Sequence, residues 1–259
     1  MSTALITGAS GGIGYELAKL FAKDKYDLVL VARSGPKLAE FAQELQKEFG
    51  VSVKTIPIDL TLPNAPQSVF EDAQRSGIHV DVLVNNAGYG LLGEFARLPL
   101  ADDIGMIQLN VTALTVLTKL FLQPMLEHRA GKILNVASTA GFQAGPMMAV
   151  YYATKSYVIL FSEGIAEELK GKGITVTCLC PGATDTGFAG RAGNENSILF
   201  KAVKPMSAKE VALDGYIGLM AGKTLVISGM RNWLVAESVR FAPRKMVTAI
   251  SKKILQTAK

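Results

Sequence analysis

A short apolar strand near the start of the chain runs directly into a glycine-rich turn and then into a helix. The strand covers Ala4 to Ile6, and the helix carries Leu17, Leu20 and Phe21 at helical spacing. Glycines let a backbone turn tightly and approach a pyrophosphate, and the amides at a helix N-terminus favour its negative charge. The turn therefore predicts a dinucleotide site that includes Gly8, Ser10, Gly12, Ile13 and Gly14.

Strand and helix patterns alternate along most of the 259 residues. This alternation predicts an α/β fold in which a doubly wound parallel sheet carries helices on both faces, as in the Rossmann fold. We assign residues 1–228 to this domain and residues 229–259 to a helical extension of it. Seven strands are expected, at Ala4 to Ile6, Leu28 to Val31, Val53 to Ile58, Val82 to Val84, Lys132 to Ala137, Ile174 to Cys180 and Thr224 to Ile227.

One edge of the predicted sheet collects the polar and glycine residues that follow the strands. Ligands of such folds bind beyond the carboxyl ends of the strands, where Asp59 and Asn85-Asn86-Ala87-Gly88 fall. Arg33 follows the second strand, near the place where these folds bind the adenosine ribose, and Ser34 is a second donor. A guanidinium there suits a 2'-phosphate, so NADP(H) is favoured over NAD(H). The alternative is that Arg33 only faces solvent at a strand end.

Tyr151 and Lys155 form the most specific chemical pattern. They stand four residues apart in a helix predicted over residues 150–170, so the phenol and the ammonium group share one helical face. A free phenol has a pKa of about 10, and a nearby cation lowers that pKa towards the range of a general acid or base. The alternative is a half-buried aromatic residue beside a solvated lysine. Ser138 ends the fifth strand and brings a hydroxyl to the same edge.

Asn110 lies near the first third of a long helix predicted from Ile104 to His128, among apolar neighbours such as Leu109 and Val111. A buried asparagine needs hydrogen-bond partners, so either a functional role or packing between helices accounts for it.

The sixth strand ends in a turn formed by Pro181 and Gly182. The hydroxyls of Thr184 and Thr186 follow and suit the carboxamide or phosphates of a cofactor. Residues 187–204 are predicted to form a mobile lid over a partly apolar substrate.

Taken in order, these motifs resemble those of the short-chain dehydrogenase/reductase family, from Thr3 to about Ser228. The matching residues are Thr7, Gly8, Gly12, Ile13, Gly14, Asp59, Asn85-Asn86-Ala87-Gly88, Asn110, Ser138, Tyr151, Lys155 and Pro181-Gly182. The resemblance implies an enzyme that transfers a hydride between a nicotinamide cofactor and a carbonyl or alcohol group.

The resemblance also implies a role for each matched residue. Tyr151 would protonate the carbonyl oxygen, and Ser138 would hydrogen-bond it. Lys155 would hold the nicotinamide ribose and lower the pKa of Tyr151, and Asn110 would maintain the water chain that resupplies the proton. Asp59 would bind adenine. The other residues expected to contact the cofactor are Asn86, Ala87, Gly88, Pro181, Gly182, Thr184 and Thr186.

Two positions qualify the resemblance. Gly11 stands where many NADP-dependent members carry a basic residue, but no carboxylate stands beside Arg33 to favour a bare ribose. Tyr152 is followed four residues later by Ser156 and not by lysine, so we interpret it as packing or as a substrate contact.

The segment 229–259 is basic and lies outside these motifs. Seven basic residues face one acid, Glu237. Apolar residues recur at helical spacing after Pro243 and predict an amphipathic helix, at Met246, Val247, Ile250 and Ile254. Docking on its own fold or on a second subunit is favoured. A contact with an anionic membrane and a cover over the substrate pocket remain alternatives.

Composition argues against several other classes of protein. The net charge of +5 is modest and no nucleic-acid-binding motif is present, so no nucleic-acid partner is expected. Cys178 and Cys180 point to one face of a buried strand, which indicates packing, and no metal site is expected. Neither a signal peptide nor a membrane span is predicted. We therefore expect a cytoplasmic protein, with peripheral membrane contact through the tail as the alternative.

The sequence thus predicts an NADP(H)-dependent carbonyl reductase or alcohol dehydrogenase that acts on a small, lipophilic substrate. The alternative is a non-catalytic dinucleotide sensor or membrane-associated scaffold of the same fold, which the complete set Asn110, Ser138, Tyr151 and Lys155 argues against. A homo-dimer or homo-tetramer is expected.

Overall fold

A parallel sheet forms the centre of the molecule in the computed structural model, which describes residues 2–193 and 204–256. In chain order the strands are β1 (Thr3–Thr7), β2 (Asp27–Ala32), β3 (Val53–Pro57), β4 (Val82–Asn85), β5 (Gly131–Val136), β6 (Ile174–Cys180), β7 (Thr184–Asp185), β8 (Met206–Ser207) and β9 (Leu225–Ile227). The order in the large sheet is β3-β2-β1-β4-β5-β6-β9, whereas β7 and β8 pair with each other. Every neighbouring pair is parallel, as the alternating pattern predicted.

The helices connect successive strands. They are α1 (Gly12–Lys23), α2 (Gly35–Phe49), α3 (Ala65–Arg75), α4 (Leu100–Ile107), α5 (Leu114–His128), α6 (Ala149–Glu168), α7 (Phe188–Ala192), α8 (Ala208–Met220), α9 (Met230–Ser238) and α10 (Arg244–Leu255). A π-helical segment, Gln108–Ala113, joins α4 to α5, and a 3₁₀ turn, Thr139–Phe142, precedes α6.

Two apolar layers hold these helices against opposite faces of the sheet. On one face α1 and α8 pack through residues such as Phe21 and Leu219. On the other face α3 and α5 pack through residues such as Val69 and Phe121. Burial on both sides is the expected arrangement for parallel strands of continuous apolar residues. The predicted doubly wound fold is therefore confirmed, and the carboxyl edge of the sheet is left for a site.

A buried polar network ties the centre of the sheet to the helices behind it. Asn85 Nδ2 donates to Asn135 Oδ1 at 2.9 Å and to Thr118 Oγ1 at 3.0 Å. Asn135 Nδ2 in turn donates to Ser162 Oγ at 2.9 Å. Buried amides are costly unless they are paired, so this network fixes the relative positions of β4, β5, α5 and α6. The side chain of Asn85 therefore stabilises the core, whereas that of Asn86 lies at the carboxyl edge of the sheet.

The long helix predicted from Ile104 begins four residues earlier, at Leu100. Its first turn contains Asp102 and Asp103, which the helix dipole favours there but which lack the apolar spacing on which the prediction rested. The predicted helix also contains the π-helical segment around Asn110. Such insertions are frequent at functional sites and leave no mark in apolar periodicity.

The continuous helical stretch from Leu100 to His128 is long and apolar enough to cross a membrane. It is the one such helix among residues 2–193 and 204–256. Leu117, Phe121 and Met125 on its inner side are buried against the sheet.

Most of the predicted lid lies outside the described residues. Its described part includes α7, where Phe188 packs beside Tyr151 with the ring centroids 5.3 Å apart. The amphipathic helix predicted after Pro243 is present as α10.

Candidate active site

A cavity of about 930 Å³ opens at the carboxyl edge of the sheet. Gly14 and Asn110 lie behind its wall. The structure brings the other predicted site residues together around it, and these are Gly8, Ser10, Gly12, Ile13, Arg33, Ser34, Asp59, Asn86, Ala87, Gly88, Ser138, Tyr151, Lys155, Pro181, Gly182, Thr184 and Thr186. Its volume lies towards the upper end of the range for ligand sites, which suits a dinucleotide together with a substrate.

The glycine turn is shaped by positions that exclude a side chain. Gly8 and Gly12 have φ angles of +66° and +54°, in the left-handed region that glycine adopts without strain. A Cβ on Gly14 would lie 2.5 Å from both Asn86 Nδ2 and the carbonyl oxygen of Gly8. The turn leads into α1, whose first turn holds no acidic residue, so its amides face the cavity without a competing carboxylate.

Asn86 holds the turn against the end of β4. Its Nδ2 donates to the carbonyl oxygens of Thr7 and Gly8 at 2.9 and 3.2 Å. The hydroxyl of Thr7 accepts from the amides of Asn86 and Ala87, both at 3.0 Å. The side chain of Asn86 therefore positions the glycine turn.

Ser138 follows β5 and begins the 3₁₀ turn. Its Oγ accepts from the amide of Ala140 at 3.1 Å and donates to the carbonyl oxygen of Pro181 at 3.3 Å. The second bond is long for a hydroxyl donor. The hydroxyl hydrogen is consequently only weakly committed and can turn towards a ligand oxygen.

Tyr151 and Lys155 occupy the same face of α6 and are both buried. Lys155 Nζ lies 5.8 Å from the centroid of the Tyr151 ring and donates to the carbonyl oxygen of Val136 at 2.8 Å. Burial raises the pKa of Tyr151 above its ordinary value, and hydrogen bonding by Ser138 partly opposes this rise. Burial also lowers the pKa of Lys155 to about 8, which leaves the amine mostly protonated at neutral pH.

Asn110 lies behind Gly88 with its side chain fully engaged. Its Oδ1 accepts from the amide of Tyr89 at 3.1 Å, and its Nδ2 donates to the carbonyl oxygen of Tyr89 and to Thr154 Oγ1 at 2.9 and 3.1 Å. The hydroxyl of Thr154 donates to the carbonyl oxygen of Tyr151 at 2.7 Å. A Cβ on Gly88 would lie 3.0 Å from Asn110 Oδ1 and 3.5 Å from Lys155 Nζ. Asn110 thus joins the loop after β4 to the helix that carries Tyr151.

The far end of the cavity contains two cations. Arg33 directly follows β2, Ser34 is the N-cap residue of α2, and Lys37 lies in the first turn of that helix. Asp59 also lines the cavity and accepts from the amide and hydroxyl of Thr61 at 3.0 and 2.8 Å. Sequence reasoning missed Lys37. Its position three residues after the N-cap was the available signal, because a helix N-terminus that faces a phosphate places its first turn at the ligand.

The turn after β6 is partly occupied by its own hydrogen bonds. Thr184 Oγ1 donates to the carbonyl oxygen of Gly182 at 3.0 Å, and Thr186 Oγ1 accepts from the amide of Phe188 at 3.2 Å. A Cβ on Gly12 would lie 3.2 Å from Thr186 Cγ2, so this turn closes over the glycine turn.

The C-terminal helices supply residues that sequence reasoning did not place in the cavity. We call residues 230–255, which include α9 and α10, the C-terminal cap. It contributes Arg231, Asn232, Val235, Ala236, Val239, Ile254 and Leu255 to the lining. The only available signal was the amphipathic pattern, which left the side on which the helix packs undetermined.

The inner face of the cap is anchored near the candidate catalytic residues. Asn232 Nδ2 donates to the carbonyl oxygen of Ser228 at 2.7 Å and leaves no room for a Cβ on Gly182. Leu255 packs in one apolar cluster with Tyr151 and Tyr152. The cap therefore covers the side of the cavity that contains Tyr151, which agrees with the cover that the sequence left open as an alternative.

Within the parts of the chain that the structure describes, no cluster of three His, Cys, Asp or Glu side chains could hold a metal ion. The buried Cys178 and Cys180 share one face of β6, with their Sγ atoms 3.8 Å apart.

Known proteins resemble this chain in both sequence and fold. The family profile described as short chain dehydrogenase matches residues 2–197. The ketoacyl reductase HetN of Nostoc sp. is 34% identical over 180 residues, which is 70% of this chain and 62% of HetN. The very-long-chain 3-oxoacyl-CoA reductase of Rattus norvegicus is 36% identical over 182 residues, which is 69% of this chain and 58% of that protein. The aligned region thus spans only about three fifths of each of these relatives.

A solved structure extends the likeness over nearly the whole chain. A short-chain dehydrogenase from Sphingobium yanoikuyae, determined in complex with NADPH, is 33% identical and superimposes with a TM-score of 0.83. The superposition covers 93% of this chain and 94% of that one.

Substituting Gly14 tests the packing of the glycine turn. In a helix, Gly→Ala ordinarily stabilises by about 1 kcal/mol, but here the new methyl group would push Asn86 and Gly8 apart. We expect Gly14→Ala to lower the free energy of unfolding by about 1–3 kcal/mol and to weaken NADPH binding roughly tenfold or more. Urea denaturation and fluorescence titration measure the two effects.

Gly11→Ala in the same turn is the matched control. Gly11 is extended, with φ 165°, and its Cβ would meet no atom of the described chain within 4 Å. Both quantities should stay close to wild type. Equal behaviour of the two variants would contradict the packing argument.

Proposed function

The chain belongs to the short-chain dehydrogenase family, and from this premise we propose that it is an NADP(H)-dependent oxidoreductase that interconverts a carbonyl compound and an alcohol. The observation that carries the proposal is that Ser138, Tyr151 and Lys155 meet in the cavity that the glycine turn also lines. A nicotinamide dinucleotide bound along this cavity supplies the hydride. The chain itself supplies the binding groups and the proton.

Tyr151 is the proposed general acid in the direction of reduction. Its raised pKa keeps the phenol protonated at neutral pH until a substrate oxygen becomes basic enough to take the proton. The ring is enclosed by Phe188 and by Gly90, where a Cβ would lie 2.8 Å from Tyr151 Cδ2. This enclosure limits the access of water to the phenol.

Ser138 and Lys155 support the proton transfer in different ways. The weakly committed hydroxyl of Ser138 would turn from Pro181 to donate to the substrate oxygen and fix it near the phenol. Lys155 carries a positive charge on the same helical face, and that charge favours the phenolate that is left behind. The lowering of the Tyr151 pKa by Lys155 remains a prediction.

Asn110 is proposed as a positioning residue. Both hydrogens of its amide are used by Tyr89 and Thr154, so its side chain has no free donor for a proton chain. A water near Gly88 would lie between Asn110 and Lys155, and the π-helical backbone leaves carbonyl groups that can accept from it. We therefore propose that the proton of Tyr151 is resupplied by way of Lys155 and not through the side chain of Asn110.

The proposed preference for NADP(H) over NAD(H) rests on the end of the cavity that lies beside β2 and α2. Arg33, Lys37 and the N-terminus of α2 surround the place where a 2'-phosphate would lie, and each of them favours an anion. NADPH is the ligand named for the Sphingobium yanoikuyae structure. Ser34 makes no cap hydrogen bond within the described chain, so its hydroxyl can serve the phosphate.

The substrate is proposed to be lipophilic, with 3-oxoacyl compounds as the leading class. The two curated relatives are named as ketoacyl and 3-oxoacyl-CoA reductases. The cavity wall beside Tyr151 is apolar, with Met148, Phe188, Val235 and Leu255. A non-catalytic sensor would need none of the proton-handling residues that this cavity brings together.

The predicted homo-oligomer and cytoplasmic location remain proposals. The apolar side chains of Leu100, Ile104 and Leu160 on α4 and α6 are exposed, which supports a contact between subunits there.

Replacing Tyr151 by Phe removes the acid and keeps the ring. We expect Tyr151→Phe to reduce kcat for NADPH-dependent reduction by roughly 10²–10⁴-fold, with little change in NADPH affinity. Tyr152→Phe is the matched control and should keep most activity, because Tyr152 is followed four residues later by Ser156 and not by a lysine. Initial rates on aldehydes, ketones, 3-oxoacyl thioesters and steroids provide the measurement. If wild type binds NADPH but turns over none of these substrates, the sensor alternative gains.

Replacing Arg33 by Ala tests the choice of cofactor. Losing a charge-assisted contact to the 2'-phosphate should weaken NADPH binding roughly 10- to 100-fold and change NADH binding much less. Lys47→Ala, at the other end of α2, should change neither affinity. If Arg33→Ala lost the same affinity for NADPH and NADH, Arg33 would not contact the 2'-phosphate.

The pKa of Lys155 sets a pH dependence. Below about pH 8 the ammonium group is already formed, whereas above it binding that uses the ammonium must also take up a proton. NADPH affinity should therefore fall as pH rises above about 8, and Lys155→Met should bind more weakly but lose this step. Fluorescence titrations from neutral to alkaline pH measure both profiles. A wild-type profile as flat as that of the variant would refute the role of the charge.

A further inference from the structure

The outer surface of the C-terminal cap is apolar, although its inner face already lines the cavity. On α9, Met230, Trp233 and Leu234 are exposed at i, i+3 and i+4 spacing. On α10, Met246 and Ile250 are exposed one turn apart, while Ser251 and Leu255 on the other side are buried. The sequence grouped Met246 and Ile250 with Val247 and Ile254 on one face, but the structure separates them.

The segment between the two helices adds the most exposed large apolar side chain of this surface. Phe241 is 87% exposed and Met230 is 73% exposed, so packing on their own fold does not account for either. Large exposed apolar patches generally mark a surface that contacts another molecule or a membrane.

Basic residues surround these apolar side chains. The described part of the cap carries six of them: Arg231 lines the cavity, whereas Arg240, Arg244, Lys245, Lys252 and Lys253 do not. The single acid, Glu237, is already paired with Arg240 at 3.2 Å. The surface therefore combines insertable apolar groups with an uncompensated positive charge.

This combination of apolar side chains and positive charge distinguishes between two possible binding partners, a second copy of the protein and an anionic bilayer. In an isologous contact with a second copy, two surfaces that both carry net positive charge would be brought together and would repel each other. An anionic bilayer satisfies both features, because the apolar side chains enter the boundary between headgroups and acyl chains and the cations meet phosphates. We propose that the C-terminal cap docks the protein on the surface of an anionic lipid bilayer.

The position of the cap next to the cavity assigns a role in substrate delivery to this docking. This step rests on the proposed function. Val239, Ile254 and the half-exposed Val235 of the cap line the cavity, while other side chains of the cap form the docking surface. A lipophilic carbonyl compound dissolved in the bilayer would enter the cavity between α9 and α10 and reach Tyr151 without crossing water. The substrate class is thus narrowed to compounds that partition into membranes.

Trp233 makes the docking directly observable, because it is the only tryptophan in the sequence. We expect its emission to shift to the blue, and the protein to co-sediment, with vesicles of equal phosphatidylcholine and phosphatidylglycerol. Binding to pure phosphatidylcholine vesicles should be much weaker, and added salt should release the protein from the anionic vesicles.

Two double variants separate the apolar and ionic contributions. Phe241→Ser with Met246→Ser removes apolar groups, and Arg244→Gln with Lys245→Gln removes charges; none of the four lines the cavity. Each double variant should weaken vesicle binding roughly tenfold or more. Leu62→Ser, at an exposed apolar residue outside the cap, is the control and should bind like wild type.

Two outcomes would overturn the docking. One is a wild-type protein that stays in solution with an unshifted Trp233 emission at every vesicle composition. The other is a shift that depends on protein concentration without lipid, which would mean that a second copy covers the surface.

An activity assay separates this proposal from the proposed function. Phe241→Ser with Met246→Ser should reduce a water-soluble carbonyl compound at the wild-type rate but a vesicle-embedded 3-oxoacyl thioester more slowly. Equal loss on both substrates would contradict delivery from the bilayer. If wild type reduces neither substrate, the proposed function fails, while the vesicle-binding result still decides the docking.

Discussion

The site depends on the close approach of two backbone segments, the glycine turn after β1 and the loop after β4. Asn86 spans them with one amide group, and Gly14 makes the approach possible because it lacks a Cβ. Two parallel strands would bring their carboxyl ends to the same edge without this contact. The contact adds a fixed depth and direction to the turn, so that the first amides of α1 face the cavity. The same side-chain amide cannot also be a strong ligand donor, because both carbonyls already use it.

The two residues proposed to handle the proton show how burial affects protonation in the cavity. Tyr151 and Lys155 are both removed from water, and burial drives each towards its neutral form, upwards in pKa for the phenol and downwards for the amine. A bound ligand with polar oxygens would relieve part of this cost, since both groups face the cavity. The structure thus holds a phenol that keeps its proton and an amine that is charged at neutral pH but close to losing its charge. Small changes in the contents of the cavity can therefore move the protonation equilibrium of Lys155, while Tyr151 stays protonated.

Sequence reasoning found the sheet and most of the cavity for a definite physical reason. Strands of a parallel sheet are read from short apolar runs, and topology then gathers whatever follows them at one edge. Gly8, Arg33, Asp59 and Ser138 could be placed together by that rule alone. Features that depend on side-chain packing could not, such as the split of Asn85 and Asn86 between core and cleft. The π-helical segment at Asn110 was also missed, because apolar spacing carries no information about the register of backbone hydrogen bonds.

The C-terminal cap shows the same limit of sequence reasoning. This limit matters because the cap lines the cavity in which the substrate is proposed to bind. An amphipathic pattern states that one face of a helix is apolar, but α10 has apolar residues both towards the cavity and towards solvent. Only the fold distinguishes Leu255, which packs against the tyrosines, from Met246, which faces outward. A cover that needed only to exclude water would gain nothing from exposed apolar side chains among cations, because such groups favour aggregation. Their presence on the outside of the wall that encloses Tyr151 therefore supports the proposed docking on a bilayer, from which an apolar substrate would reach the phenol.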